Sequence, residues 1–175
     1  MTFPRTRIRA SLIAAAICSL LACQPAPTSN TTQTPDSVAG SHIRVTEVPL
    51  RDLREDEDAG GHIIRKHVGQ TEQQLRQRLE RERNITGAST YTDLPTAERA
   101  VGAAIAQSQN EIQNWLNRSG RHSNLVLDYD SPEPIGRTMN RGESQSRVCQ
   151  HALVILKYNG PNHYYVLTSY PECRS

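Results

Sequence analysis

The sequence predicts an α+β domain in which N-terminal helices pack on a C-terminal antiparallel sheet. Three observations point to it. Between residues 71 and 117 apolar side chains recur mainly every three or four positions, the period of a helix with one buried face. From residue 124 onward, short runs rich in Val, Ile, Leu and Tyr replace that period. The last two of these runs are separated by Asn159-Gly160-Pro161-Asn162, a set of turn residues that predicts a hairpin.

The chain opens with a different kind of segment. Arg5, Arg7 and Arg9 precede an apolar stretch over 10–22 (ASLIAAAICSLLA), the layout of a secretory signal and too short to span a bilayer as a mature helix. Leu20-Leu21-Ala22-Cys23 resembles a lipobox, so 1–22 is expected to be removed and Cys23 to carry the lipid. Several acyl chains anchor stably, since each buried methylene contributes about 0.8 kcal/mol and one chain alone is marginal. An ordinary signal that happens to contain a cysteine is the simpler alternative. Gln24 stands where an inner-membrane retention signal places Asp, which points to an outer-membrane lipoprotein, facing the periplasm or the cell surface.

Residues 24–40 (QPAPTSNTTQTPDSVAG) hold too little apolar surface to offset the entropy of ordering them. They read as a tether. HIRVTEVPL, next in the chain, has the composition of a short strand, and RDLREDED over 51–58 reads as a solvated charge cluster outside the core. The expected division is therefore a signal over 1–22, a lipidated cysteine and tether over 23–59, and one compact domain over 60–175.

Charge follows the same boundaries. Three of the 20 basic residues lie in the signal, leaving 17 against 18 acidic ones, a net of −1, whereas residues 60–175 hold 14 against 11, a net of +3. A modest positive excess suits a polyanionic substrate without establishing one. About 115 residues support one modest core, which a covalent staple would reinforce.

Within the domain, Thr71 is placed to cap a helix reaching Arg83, with Leu75 and Leu79 on one face. A second helix is expected from Pro95 to Asn117, carrying Val101, Ile105, Ile112 and Trp115 inward and ending at Ser119-Gly120. NLVLDYD over 124–130 alternates as a half-buried strand does, and Ile135-Gly136-Arg137 suggests a short one. Residues 142–147 read as a polar loop, and 148–158 with 163–170 as the final hairpin. If Tyr158 faces His163, Cys149 falls opposite Glu172, one residue from Cys173, so a Cys149–Cys173 disulfide is expected in an exported protein. No metal-ligand spacing surrounds these cysteines, and no metal or cofactor is predicted.

The densest polar cluster is GGHIIRKHVG over 60–69. His62 and His67, five apart, would lie roughly 140° apart on a helix and so serve different roles. Either can exchange a proton near neutral pH or be merely structural. Arg78 sits between Leu75 and Leu79, where an arginine either lays its stem over the core or holds a phosphate through its fork of donors. Arg65, Lys66, Arg76, Arg81 and Arg83 add positive field or solvent-facing charge. In Thr168-Ser169-Tyr170, alternation puts Thr168 and Tyr170 on one face roughly 7 Å apart, a pair of hydroxyls for a phosphate or ribose, or else an ordinary strand face. Walker, HExxH, GxSxG and paired-carboxylate signatures do not occur.

Taken in order, GGHIIRKHVGQT, LRQRL, ASTYTDLPTAERAV, IQNWL, LVLDYD, PIGR and YYVLTSYP resemble the bacterial ribonuclease domain at the C-terminus of many contact-dependent growth inhibition proteins and other polymorphic toxins. This is the CdiA-type domain with a pancreatic-ribonuclease-like fold, and the resemblance runs over 60–171. It implies a kidney-shaped α+β body, cleavage of RNA without metal, toxicity toward neighbouring cells and a cognate immunity protein. It also implies an active site of His67, Arg78, Thr168 and Tyr170, with His62 in the same block. A lipoprotein leader in place of a large delivery protein, and the two cysteines, depart from the usual pattern.

The expected chemistry is attack by a ribose 2′-hydroxyl on the adjacent phosphorus to leave a 2′,3′-cyclic phosphate. His67 is the expected base, His62 or Tyr170 the acid, and Arg78 and Thr168 the phosphate holders. RNA is the expected substrate, an immunity protein and the membrane the expected partners, and a monomer the expected state. Two other readings remain at this stage: a non-catalytic envelope binding module, and a phosphodiesterase for small cyclic nucleotides or envelope phosphodiesters.

Overall fold

A computed structural model describes residues 50–174. The expected signal, the expected lipidation site Cys23 and the part of the expected tether up to residue 49 lie outside the described residues. Described elements run α1 Leu53–Asp58, α2 Ile63–His67, α3 Glu72–Arg81, β1 Gly87–Tyr91, α4 Leu94–Gln107 and α5 Gln109–Leu116, followed by β2 Leu125–Asp130, β3 Gly136–Asn140, β4 Arg147–Cys149, β5 His151–Tyr158 and β6 Tyr164–Glu172. The expected α+β class holds.

The charged segment expected to stay outside the core is instead α1. Asp52 starts it by accepting from the amides of Arg54 and Glu55. Leu53 and Asp56, three apart and so on one face, are both buried. A single leucine among acidic and basic neighbours conceals that face from a reading of composition. The folded body therefore starts earlier than residue 60.

The predicted Thr71 cap of α3 is present and is part of a capping box, Thr71 accepting from the Gln74 amide while the Gln74 side chain accepts from the Thr71 amide. The long helix expected over 95–117 is two helices. It breaks at Ser108, whose backbone leaves helical geometry (φ −103°, ψ 18°). Asp93 caps α4 through the Thr96 amide, with Pro95 in the first turn as predicted.

The strands form two three-stranded antiparallel sheets, β1-β3-β4 and β2-β5-β6, where one was expected. β1 had no counterpart in the predicted elements. The apolar run over 148–158 also divides at Gln150, so its first residues join one sheet and the rest the other. Tyr158 pairs with Tyr164, one residue from the expected register, and His151 rather than Cys149 pairs with Glu172. Cys149 nevertheless bonds to Cys173, tying β4 to the residue after β6 and so linking the sheets. Two buried hydrogen bonds reinforce that link: Tyr91 Oη with Ser169 Oγ at 2.6 Å, and Thr138 Oγ1 to the Pro171 carbonyl at 2.8 Å.

The main core joins α1, α2, α4 and α5 to β2-β5-β6 through Leu53, Ile63, Val101, Trp115, Leu127, Val154, Leu156 and Val166. Each such side chain contributes about 1.5–3 kcal/mol by leaving water. A smaller cluster of Leu75, Leu79, Ala88 and Met139 holds α3 on β1 and β3.

Candidate active site

β6 carries a bulge that decides what faces the cleft. Ile155 pairs with Thr168 and Leu156 with Val166, leaving Leu167 as the extra residue. In a regular strand Val166, Thr168 and Tyr170 would share one face. With the bulge, Val166 and Ser169 are fully buried, while Thr168 and Tyr170 line an open cleft. The freed Leu167 carbonyl accepts from the His62 amide at 3.0 Å and docks the start of α2 on the strand. Gly61 permits that approach, because a Cβ there would lie 2.6 Å from the Val166 carbonyl oxygen and 2.7 Å from that of Asp56.

His62 and His67 come closer than their spacing on an ideal helix suggests. Their ring centroids are 6.5 Å apart, because His62 occupies the cap position with φ −151° and lies off the helical path. His67 ends α2, only 6% exposed, and its Nδ1 lies 3.1 Å from the Ser89 carbonyl of β1. A carbonyl only accepts, so Nδ1 carries the proton and Nε2 the free lone pair. Burial, and then the Arg78 charge, push the imidazole down to about 3, against the opposing Ser89 hydrogen bond. His67 is thus neutral in the resting protein. Burial also lowers the His62 value, followed by Lys66 and Arg65.

Arg78 reaches the same cleft from α3. Its Nη1 donates to the Lys66 carbonyl at 3.1 Å, and its Nε lies 3.4 Å from Glu82 Oε1, an ion-pair contact without a hydrogen bond to Nε. The Thr168 Oγ1 is buried with no hydrogen-bond partner among the described residues. The Tyr170 ring lies 5.4 Å from that of His67, and burial followed by Glu172 raises its phenol above the usual range. A tyrosine so placed is a poor acid and a good neutral donor.

One cleft of about 470 Å³ is therefore lined by all five sequence-predicted residues, His62, His67, Arg78, Thr168 and Tyr170. Asn84, Thr86, Ser89, Asn140 and Arg147 also line it and were not singled out by sequence. Of these only Ser89 lies in the small and β-branched run GASTY, which forms β1, and no sequence signal marks the others. Among the described residues no group of three or more His, Cys, Asp or Glu side chains is arranged to hold a metal ion.

A family model described as a bacterial CdiA-CT RNAse A domain matches residues 61–171. The chain belongs to this family. It is a CdiA-type C-terminal ribonuclease toxin domain, as the sequence motifs suggested. Among solved structures, the domain is similar to the crystal structure of a CdiA-CT/CdiI complex from Y. kristensenii 33638, with a TM-score of 0.58 and 35% sequence identity. That match covers 64% of this chain and 99% of the other. No curated protein matches the chain. The family match begins after α1, so the helix that packs beneath the bulge lies outside it.

Proposed function

We propose that the domain is a metal-independent endoribonuclease that cleaves RNA by transesterification. The observation that carries this reading is the convergence of two imidazoles, a guanidinium and two hydroxyls on one open cleft. His67 Nε2 takes the proton from a ribose 2′-hydroxyl, and the resulting oxygen attacks the adjacent phosphorus. The bond from phosphorus to the 5′-oxygen breaks, and protonated His62 supplies the proton to the leaving group. The products are a 2′,3′-cyclic phosphate and a free 5′-hydroxyl.

Arg78 and Thr168 hold the non-bridging oxygens where negative charge grows, and Tyr170 donates to the same phosphate or its ribose. Tyr170 is left out of the acid role because its proton is held more tightly than in free tyrosine. Substrate binding also prepares the imidazoles: a phosphodiester anion opposes the Arg78 and Lys66 charges that lower both of them.

The related structure pairs its CdiA-CT with CdiI. By analogy this domain has a cognate immunity protein that covers the cleft. A lipid on Cys23 would hold the protein at the cell envelope, in the outer membrane, with the tether setting its reach.

Purified protein incubated with RNA and with DNA in EDTA, beside a His67→Ala variant, tests the reading. RNA fragments ending in 2′,3′-cyclic phosphate, intact DNA and an inactive variant are expected. DNA cleavage, dependence on a divalent metal, or full activity of the variant would overturn it.

A further inference from the structure

The geometry points to Glu57 as a positioning residue that caps α2 in place of the cap residue's own side chain, and so frees the His62 imidazole for the cleft. This rests on reading that cleft as a ribonuclease site. The first amides of a helix have no partner within it, and the residue preceding the helix commonly supplies a side-chain oxygen. α3 and α4 follow that rule through Thr71 and Asp93. α2 does not, because His62 stands at its cap and makes no side-chain hydrogen bond to it.

Glu57 does the capping from the end of α1. Its Oε2 accepts from the Ile64 amide at 3.0 Å, and its Oε1 accepts from the Arg65 amide at 3.4 Å and from Arg65 Nη1 at 2.8 Å. The helix that carries Glu57 is itself fixed. The neighbouring buried Asp56 accepts from Arg51 Nε and Nη2 at 2.8 and 2.7 Å and from the Val166 amide at 2.8 Å, beside the bulge. His62 is therefore held from two sides, by its own amide on Leu167 and by the carboxylate that ends its helix. Its ring is left to the cleft.

Glu57 also bears on the proton of His62. The groups that face this imidazole are Glu57 from α1, Arg65, Lys66 and His67 from α2, and Arg78 from α3; Tyr170 and Glu172 of β6 line the same cleft. Burial and the three cations favour the neutral ring, and Glu57 opposes them. A leaving-group acid must hold its proton near neutral pH, so a carboxylate that both places the ring and retains the proton suits His62 to that role.

The test follows the His62 ring by NMR through a pH titration of full-length protein without RNA, wild type against Glu57→Gln, with kcat/KM on RNA measured across pH for both and for Glu57→Ala. Glutamine keeps an oxygen for the Ile64 amide but no charge. Its His62 midpoint is expected at lower pH, with the basic limb of kcat/KM displaced the same way. Glu57→Ala, which also lacks the cap, is expected to lose about 10- to 100-fold in kcat/KM, mainly in kcat. A His62 midpoint unmoved in Glu57→Gln, or a Glu57→Ala whose kcat/KM is no lower than that of Glu57→Gln, overturns the assignment, whatever happens to the Tm. A wild-type protein that cleaves no RNA overturns the ribonuclease reading instead, while the titration still decides what Glu57 does to His62.

Discussion

Replacing His67 by Gln tests whether a neutral imidazole is built into the fold. Glutamine takes up no proton. In the folded protein His67 titrates at about 3, whereas an unfolded histidine titrates at about 6.5. Because the folded value is the depressed one, the unfolded chain binds the proton first as pH falls. The contribution of His67 to stability is complete above pH 6.5 and is lost as pH falls toward 3. One pKa unit corresponds to about 1.4 kcal/mol, so between pH 7 and pH 4 the wild type should lose roughly 3 kcal/mol that the variant does not. Urea unfolding of both proteins at pH 7, 6, 5 and 4 measures it, with Trp115, the chain's single and buried tryptophan, as the fluorescent probe. Carboxylates and the other histidines titrate alike in both proteins and cancel in the difference. Two stability curves that stay parallel within about 0.5 kcal/mol over this range would refute the buried, neutral His67.

Thr168→Val should separate activity from stability: its hydroxyl has no partner, so Tm should hold or rise, while loss of a donor to the phosphate should lower kcat by about 10²-fold. Reducing the Cys149–Cys173 disulfide, which spans 24 residues, should cost about 3 kcal/mol, read as a lower urea midpoint that Cys149→Ser with Cys173→Ser reproduces without reductant. Asp56→Ala should cost about 3–5 kcal/mol in the same assay, since it strands the Val166 amide and the Arg51 guanidinium together.

The parts of the fold legible in the sequence were those whose burial has a period. Leu75 and Leu79 behind Thr71 announced α3, and the turn at 159–162 announced the hairpin of β5 and β6. β1 escaped because Ala88, Ser89, Thr90 and Tyr91 are all buried, which removes the alternation that marks a half-buried strand. α1 escaped because Asp56 is buried by pairing with Arg51, and a buried carboxylate reads in sequence as a surface one. The break at Ser108 came without a proline or glycine to mark it. The five candidate residues were legible from family motifs and residue chemistry, but Glu57 was not. It acts through two backbone amides, and nothing in a local sequence names the helix that a carboxylate will cap.

The irregular positions of this domain converge on the cleft, and each trades a local hydrogen-bonding or pairing rule for a presented group. A regular β6 would put Thr168 and Tyr170 on the face of Val166, so a two-residue periodicity can place two hydroxyls together yet cannot say which side they meet; the bulge at Leu167 supplies that. A self-capped α2 would turn its cap residue toward its own amides, and the capping carboxylate from α1 removes the need. A satisfied Thr168 hydroxyl would have no donor left, and leaving it unpartnered costs about 1–3 kcal/mol in the empty protein. In the proposed reaction that cost is relieved when a phosphate oxygen accepts from Oγ1. The fold tolerates the penalty because Tyr91, Thr138 and the disulfide fix β6 and its end, so the strand cannot relax to satisfy the hydroxyl by itself.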